Sequence, residues 1–105
     1  MTYYVYMLRC EDGSVYTGIT TNVARRLEEH RSGGSKGARY TRYHPPVKVL
    51  SVWRCEGRPA ASRLELRIKR LPKAVKERLA ANGDLAVLRG RIAAEEYEHI
   101  VWEEA

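Results

Sequence analysis

The stretch that decides this chain is Tyr3-Tyr4-Val5-Tyr6-Met7-Leu8-Arg9-Cys10, then Glu11-Asp12-Gly13, then Ser14-Val15-Tyr16-Thr17-Gly18-Ile19-Thr20. Its outer parts are rich in aromatic and branched residues and read as strands, and Glu11-Asp12-Gly13 between them is a turn signal. The first twenty residues therefore form a hairpin, and its register decides which tyrosines share a face. A two-residue loop at Asp12-Gly13 would oppose Cys10 to Val15 and put Tyr6 and Tyr16 on opposite faces. A three-residue loop, with Gly13 in the left-handed position, opposes Cys10 to Ser14, Leu8 to Tyr16 and Tyr6 to Gly18. Both phenols then project from one face, with an empty patch over Gly18 beside Tyr6. That register is the one expected.

Downstream, Thr21 or Asn22 can cap a helix that runs to about Arg31 and stops at Ser32-Gly33-Gly34. Val23 and Leu27 form its buried stripe. Asn22, Arg26 and His30 form an adjacent stripe, while Glu28 and Glu29 are expected in solvent. Residues 33–46 hold few apolar side chains and read as a loop carrying Lys36, Arg39, Tyr40, Arg42, Tyr43 and His44. Val47–Cys55 reads as a third strand. Ala60–Leu71 reads as a helix with Ala61, Leu64, Ile68 and Leu71 inward, and Pro72 starts another that reaches Asn82-Gly83. The remainder, Asp84–Ala105, is expected to be helical near Ala93–Trp102.

With 105 residues the chain is one domain. Nineteen Lys and Arg against 13 Asp and Glu leave a net charge of +6, which suits a polyanionic partner whose counterions are released on binding. No apolar run approaches the ~20 residues of a membrane span and no secretory leader precedes the first strand, so no membrane partner is expected and the setting is read as cytoplasmic. Cys10 and Cys55 end strand-like runs and read as buried thiols. Without CxxC spacing, structural zinc is not expected.

The remaining polar residues supply what phosphodiester hydrolysis requires: an activated water, charge for the phosphoryl oxygens and a stabilised leaving group. Arg26 offers a forked, permanent cation suited to phosphate. Tyr16 could position or deprotonate water if nearby positive charge lowers its pKa. His30 could relay a proton or bond a phenol. Glu65 is a candidate metal ligand, although Glu65 and Lys69 also form an ordinary i, i+4 pair. Lys36, Arg39, Tyr40 and Arg42, with Lys69, Arg70 and Lys73, could cradle a nucleic acid by phosphate contact and base stacking.

The joint spacing is more specific than any one of these. Tyr4-Val5-Tyr6, Tyr16-Thr17-Gly18, Thr20, Asn22, Arg26-Leu27 and His30 resemble the GIY-YIG nuclease superfamily. Lys36-Gly37-Ala38-Arg39-Tyr40-Thr41, Pro46-Val47 and Leu64-Glu65-Leu66-Arg67-Ile68-Lys69-Arg70-Leu71 extend the likeness to its small stand-alone bacterial members. The resemblance implies an α/β (α+β) fold, with a small three-stranded antiparallel sheet flanked by helices. On that reading residues 1–78 are the nuclease-like domain and 79–105 a helical extension packed on it. It implies cleavage of nucleic acid, DNA ahead of RNA, with a single Mg²⁺ or Mn²⁺. Tyr16 would activate water beside Tyr6, Arg26 would stabilise the phosphoryl charge, His30 would assist Tyr16 and Glu65 would hold the metal.

Two positions depart from the family pattern. Tyr4 stands where the family name has glycine. Ile19 stands where some members carry a lysine that helps deprotonate the tyrosine, so activation would rest on His30 or on the metal. A single basic domain would discriminate sequence weakly, which fits a structure-selective nuclease or a subunit guided by a protein partner. The alternative is a binding module of the same fold with little or no catalysis. A further alternative is an interaction protein docking through Ile92, Tyr97, Ile100, Val101 and Trp102.

Overall fold

Four antiparallel strands in the order β2-β1-β3-β4 form the sheet on which everything else is mounted. The computed structural model describes residues 1–32 and 39–103. Strand β1 spans Thr2–Cys10, β2 Val15–Thr20, β3 Pro46–Glu56 and β4 Glu98–Ile100. Helices α1 (Val23–Ser32) and α2 (Arg39–Tyr43) lie between β2 and β3, and α3 (Arg58–Lys69) and α4 (Lys73–Asn82) follow β3.

The hairpin has the three-residue loop. Tyr6 pairs with Gly18 and Leu8 with Tyr16, and the Cys10 amide donates to the Ser14 carbonyl at 2.9 Å. Gly13 closes the turn at φ 86°, its amide donating to the Cys10 carbonyl at 2.9 Å. The alternation of β1 then sorts two cores. Val5 and Met7 join Trp53, Cys55, Ala61, Leu64, Ile68 and Leu79 under α3 and α4. Tyr6 and Leu8 join Val52, Val23 and Leu27 under α1. Cys10 and Cys55 are buried free thiols whose pKa values burial pushes up.

The sheet has a fourth strand where three were expected, and the C-terminal segment is not the helix its apolar spacing suggested. Short 3₁₀ turns at Leu85–Leu88 and Ala94–Glu96 lead into β4, which pairs Val52 with Ile100, Trp53 with His99 and Arg54 with Glu98. The reason is the edge of β3: a strand there satisfies main-chain groups that would otherwise remain open. Side chains accordingly alternate. Tyr97 packs under α3 and gives its hydroxyl proton to the Ala60 carbonyl at 2.6 Å, Ile100 and Trp102 pack on the α1 side, and Val101 is exposed. Glu96 and Glu98 of this acidic segment pair with Arg63 and Arg54. A second difference lies at 39–43, expected as loop and folded as α2.

Gly13 has open space where a Cβ would stand, so backbone conformation alone sets the effect of replacing it. Gly13→Ala is expected to lower the unfolding free energy by about 1 kcal/mol and Gly13→Asn by less, because Asn tolerates the left-handed region. Equilibrium urea unfolding measures both; equal losses would contradict the assigned turn.

Candidate active site

The paired tyrosines need a helix placed over them, and the cap of α1 sets it. Thr20 Oγ1 accepts from the Asn22 amide at 3.1 Å, and Asn22 Oδ1 accepts from the Arg25 amide at 3.0 Å, so two amides at the start of α1 are satisfied by side chains. Val23 and Leu27 then face the sheet, and the adjacent stripe brings Arg26 and His30 over Tyr6 and Tyr16.

His30 is 1 % exposed and both its ring nitrogens are used. Nε2 lies 2.9 Å from Tyr6 Oη and Nδ1 lies 2.6 Å from Thr41 Oγ1. Tyr16 meets the imidazole by its ring, with centroids 5.3 Å apart and planes at 66°. Arg26 Nη1 donates to Glu29 Oε1 at 3.0 Å, so Glu29, expected in solvent, instead helps hold the guanidinium. Arg26 also bonds the Tyr6 hydroxyl. An arginine can only donate, so Tyr6 Oη accepts from Arg26, and the neutral imidazole, which donates from one nitrogen and accepts at the other, links Tyr6 to Thr41.

Burial, the nearby Tyr16 and the Glu65 charge push the Tyr6 pKa upward, and Arg26 opposes them without prevailing. Tyr6 therefore stays protonated. Burial first, and then the Arg26 charge, push His30 down to about 4. Desolvation also works against the charge of Arg26, but its bonds to Glu29 and Tyr6 outweigh that and raise its pKa. The site at neutral pH thus holds a fixed cation, a neutral imidazole and a neutral phenol.

Glu65 stands on α3, across the β2 edge from α1, with its side chain 23 % exposed and Oε2 3.3 Å from Lys69 Nζ. Beyond it opens a cleft of about 280 Å³ lined by Val15, Tyr16, Thr17, Tyr40, Lys69 and Lys76. Tyr40 lies over Tyr16 at 5.9 Å and 20°, and its hydroxyl donates to Ser14 Oγ. His44 stacks behind Tyr40 at 4.5 Å and its Nδ1 is 3.0 Å from Asp12 Oδ2. Among the described residues no three acidic, His or Cys side chains gather into a metal cage. One part-exposed carboxylate nevertheless suits Mg²⁺, which commonly takes one or two protein carboxylates and keeps water and phosphate oxygens for the rest.

Of the residues singled out from sequence, Tyr6, Tyr16, Arg26 and His30 converge, Glu65 acts on Tyr6 through its charge, and Tyr40 and Lys69 line the cleft. Lys36 lies outside the described residues, as do the side chains of Arg39 and Arg42. Ile19 packs on the α3 core, on the face opposite the phenols. Sequence reasoning missed Thr41, Glu29 and Lys76. Glu29 stands at i+3 from Arg26, which is a readable pairing signal; Thr41 and Lys76 reach the site only through the fold.

This arrangement of two strand tyrosines, a helix Arg and His and a carboxylate from α3 belongs to a known class. Residues 2–78 match the family model for the GIY-YIG catalytic domain, and the chain belongs to that family. Its relatives include a UPF0213 protein of Fusobacterium nucleatum, 48 % identical over 84 residues, or 80 % of this chain and 82 % of the relative. A UPF0213 protein of Nitratidesulfovibrio vulgaris is 43 % identical over 101 residues, 95 % of this chain and 90 % of the relative. The solution NMR structure of a UPF0213 protein from Bacillus halodurans is 46 % identical and covers 75 % of this chain and 82 % of its own, with a TM-score of 0.49.

Two outcomes follow from the buried network. Unfolded histidine takes up a proton near 6.5, whereas His30 does so only near 4, so acid favours the unfolded chain between those values. Stability from this group is full above about pH 6.5 and is lost as pH falls to about 4, a change on the order of 2–3 kcal/mol. Urea unfolding at pH 7, 5 and 4 measures it, and His30→Gln should flatten the slope. Separately, a Cβ at Gly18 would meet Tyr6 Oη at 2.4 Å and Cζ at 2.7 Å. Gly18→Ala should therefore displace the phenol and cost about 1–3 kcal/mol, read by thermal unfolding.

Proposed function

We propose that this protein is a divalent-metal-dependent endonuclease that hydrolyses phosphodiester bonds in nucleic acid. The observation that carries the reading is the convergence of Tyr6, Arg26 and His30 on Tyr16, which itself lines a cleft whose other wall carries Lys69. DNA is favoured over RNA. The exposed ridge of α3 has the diameter of a helix, about 10–12 Å, which matches a B-form major groove and not the narrow one of A-form RNA. A cytoplasmic setting and a protein partner that guides substrate choice belong to the same proposal.

In this mechanism a phosphodiester enters beside Tyr16, in the cleft whose lining includes Lys69 and Lys76. Arg26, held by Glu29, donates to the phosphoryl oxygens as charge gathers there. Tyr16 positions the attacking water and, once it has given its own proton to solvent, takes the proton of that water. The new phosphorus–oxygen bond forms as the bond to the leaving sugar oxygen breaks, and that oxygen takes a proton from solvent. Tyr6, kept protonated, and His30, kept neutral, hold the hydrogen-bond geometry around Tyr16. Glu65 would hold the metal, which supplies positive charge to the phosphoryl group when bound.

One observation favours the binding-module alternative. The Ile19 side chain is part of the α3 core, so no second base stands at that position, and the His30 hydrogen bond goes to Tyr6 rather than Tyr16. Cleavage of single-stranded, duplex and branched DNA and RNA with Mg²⁺ or Mn²⁺ separates the two. A nuclease should cut in a metal-dependent way and lose at least ~100-fold in rate in Arg26→Ala and Tyr16→Phe. EDTA and Glu65→Ala should abolish cutting while binding persists. Binding by the wild type with no cutting of any substrate would leave the binding module as the answer.

A further inference from the structure

Across α3 from the catalytic cleft lies a second cationic site. Arg67 and Arg70 of α3 and Arg91, just after the 3₁₀ turn at Leu85–Leu88, surround a cavity of about 330 Å³ floored by Leu71, Val87 and Leu88. Among the described residues, none of these three guanidinium groups has an ion-pair or hydrogen-bond partner. Arg63 on the same helix and Arg54 on β3 are by contrast neutralised, by Glu96 and Glu98. Three like charges gathered around an apolar floor with no carboxylate repel one another, and an anion placed among them removes that repulsion. Forked donors of this kind match phosphate oxygens in pairs.

The position of the site on α3 says what sort of phosphate it takes. At about 100° per residue, Glu65 and Lys69 share one flank of the helix, and Arg67 stands about 200° round from Glu65, on the other. Between the two flanks runs the exposed ridge carrying Leu66, which is 48 % exposed and uncharged. A helix is about 10–12 Å across, and the phosphate rows bordering a B-form major groove lie about 12 Å apart. We propose that Arg67, Arg70 and Arg91 bind the phosphates of the second strand of a duplex substrate while the first lies in the Tyr16 cleft. The α3 ridge then enters the groove between them. This rests on the nuclease reading for the identity of the first strand, and it makes the substrate double-stranded.

The test is fluorescence-anisotropy titration of the full chain in EDTA, where nothing is cut, with duplex and single-stranded DNA of equal length at several salt concentrations. Arg67→Gln/Arg91→Gln is compared with wild type and with Arg58→Gln/Lys48→Gln, which removes the same charge elsewhere. The site variant should bind duplex about tenfold more weakly at about 0.1 M salt. Its log–log salt slope should be shallower by about 1.8, which is two phosphate contacts. Its single-strand affinity should stay within about twofold of wild type. Equal losses on duplex and single strand, a loss no larger than that of the charge-matched control, or no duplex binding by wild type would each overturn the proposal. If thermal unfolding shows the first variant misfolded, Arg70→Gln/Arg91→Gln, both exposed, replaces it. Duplex binding through this site without cutting under Mg²⁺ would sink the nuclease reading and leave the second site standing.

Discussion

The register of the β1–β2 hairpin is the constraint from which the rest follows. Side chains on a strand alternate, so a slip of one residue would send Tyr16 to the α3 core and turn Ile19 outward toward α1. The three-residue loop with Gly13 in the left-handed region prevents that slip. It also sets Gly18 under the Tyr6 phenol, with no room for even a methyl group. The apolar half of β1 is thereby committed to α3 and α4, and its tyrosine half to α1.

The tyrosine side of the sheet is not a plain hydrophobic core. Tyr6, His30 and Thr41 form a buried chain of hydrogen bonds inside it. Burying three polar side chains is costly unless each is satisfied, and here both imidazole nitrogens have partners. The return is positional. Thr41 ties the short α2 to α1, and α2 in turn lays Tyr40 over Tyr16 and forms one wall of the cleft. A helix of five residues has almost no intrinsic stability. Its place is set by side-chain contacts of this kind.

Those facts explain what could be read from the sequence. The hairpin, α1, α3 and α4 carry local signals: turn residues, an Asn cap, apolar stripes at helical spacing and Pro72 between two helices. Tyr6, Tyr16, Arg26, His30 and Glu65 stand on those elements, but each is ambiguous alone, and only their joint spacing and the family resemblance single them out. β4 was not legible, because Glu98-His99-Ile100 becomes a strand only when the β3 edge is beside it, and Ile92, Tyr97, Ile100 and Val101 fit a helical stripe equally well on paper. α2 and Thr41 were hidden likewise, since a hydroxyl among basic and aromatic residues signals nothing until a buried histidine requires a partner. Arg67, Arg70 and Arg91 look like scattered surface charge along the chain; only the turn at Leu85–Leu88 brings Arg91 to the other two.

The electrostatics of the site bear on where activation must come from. His30 is neutral near pH 7 and engaged at both nitrogens, so accepting a proton from Tyr16 would break its bond to Tyr6 or Thr41 and place a charge where burial and Arg26 both oppose it. Its role in the proposed reaction is therefore to hold Tyr6, not to act as the base. Tyr6, protonated and bonded to both His30 and Arg26, cannot readily be that base either. The positive charge that faces Tyr16 comes from Arg26, and Glu65 would hold a metal whose charge adds to it in the proposed reaction. A bound phosphate would offset the charge of Arg26, so the proposed reaction would lean on the metal that Glu65 would hold.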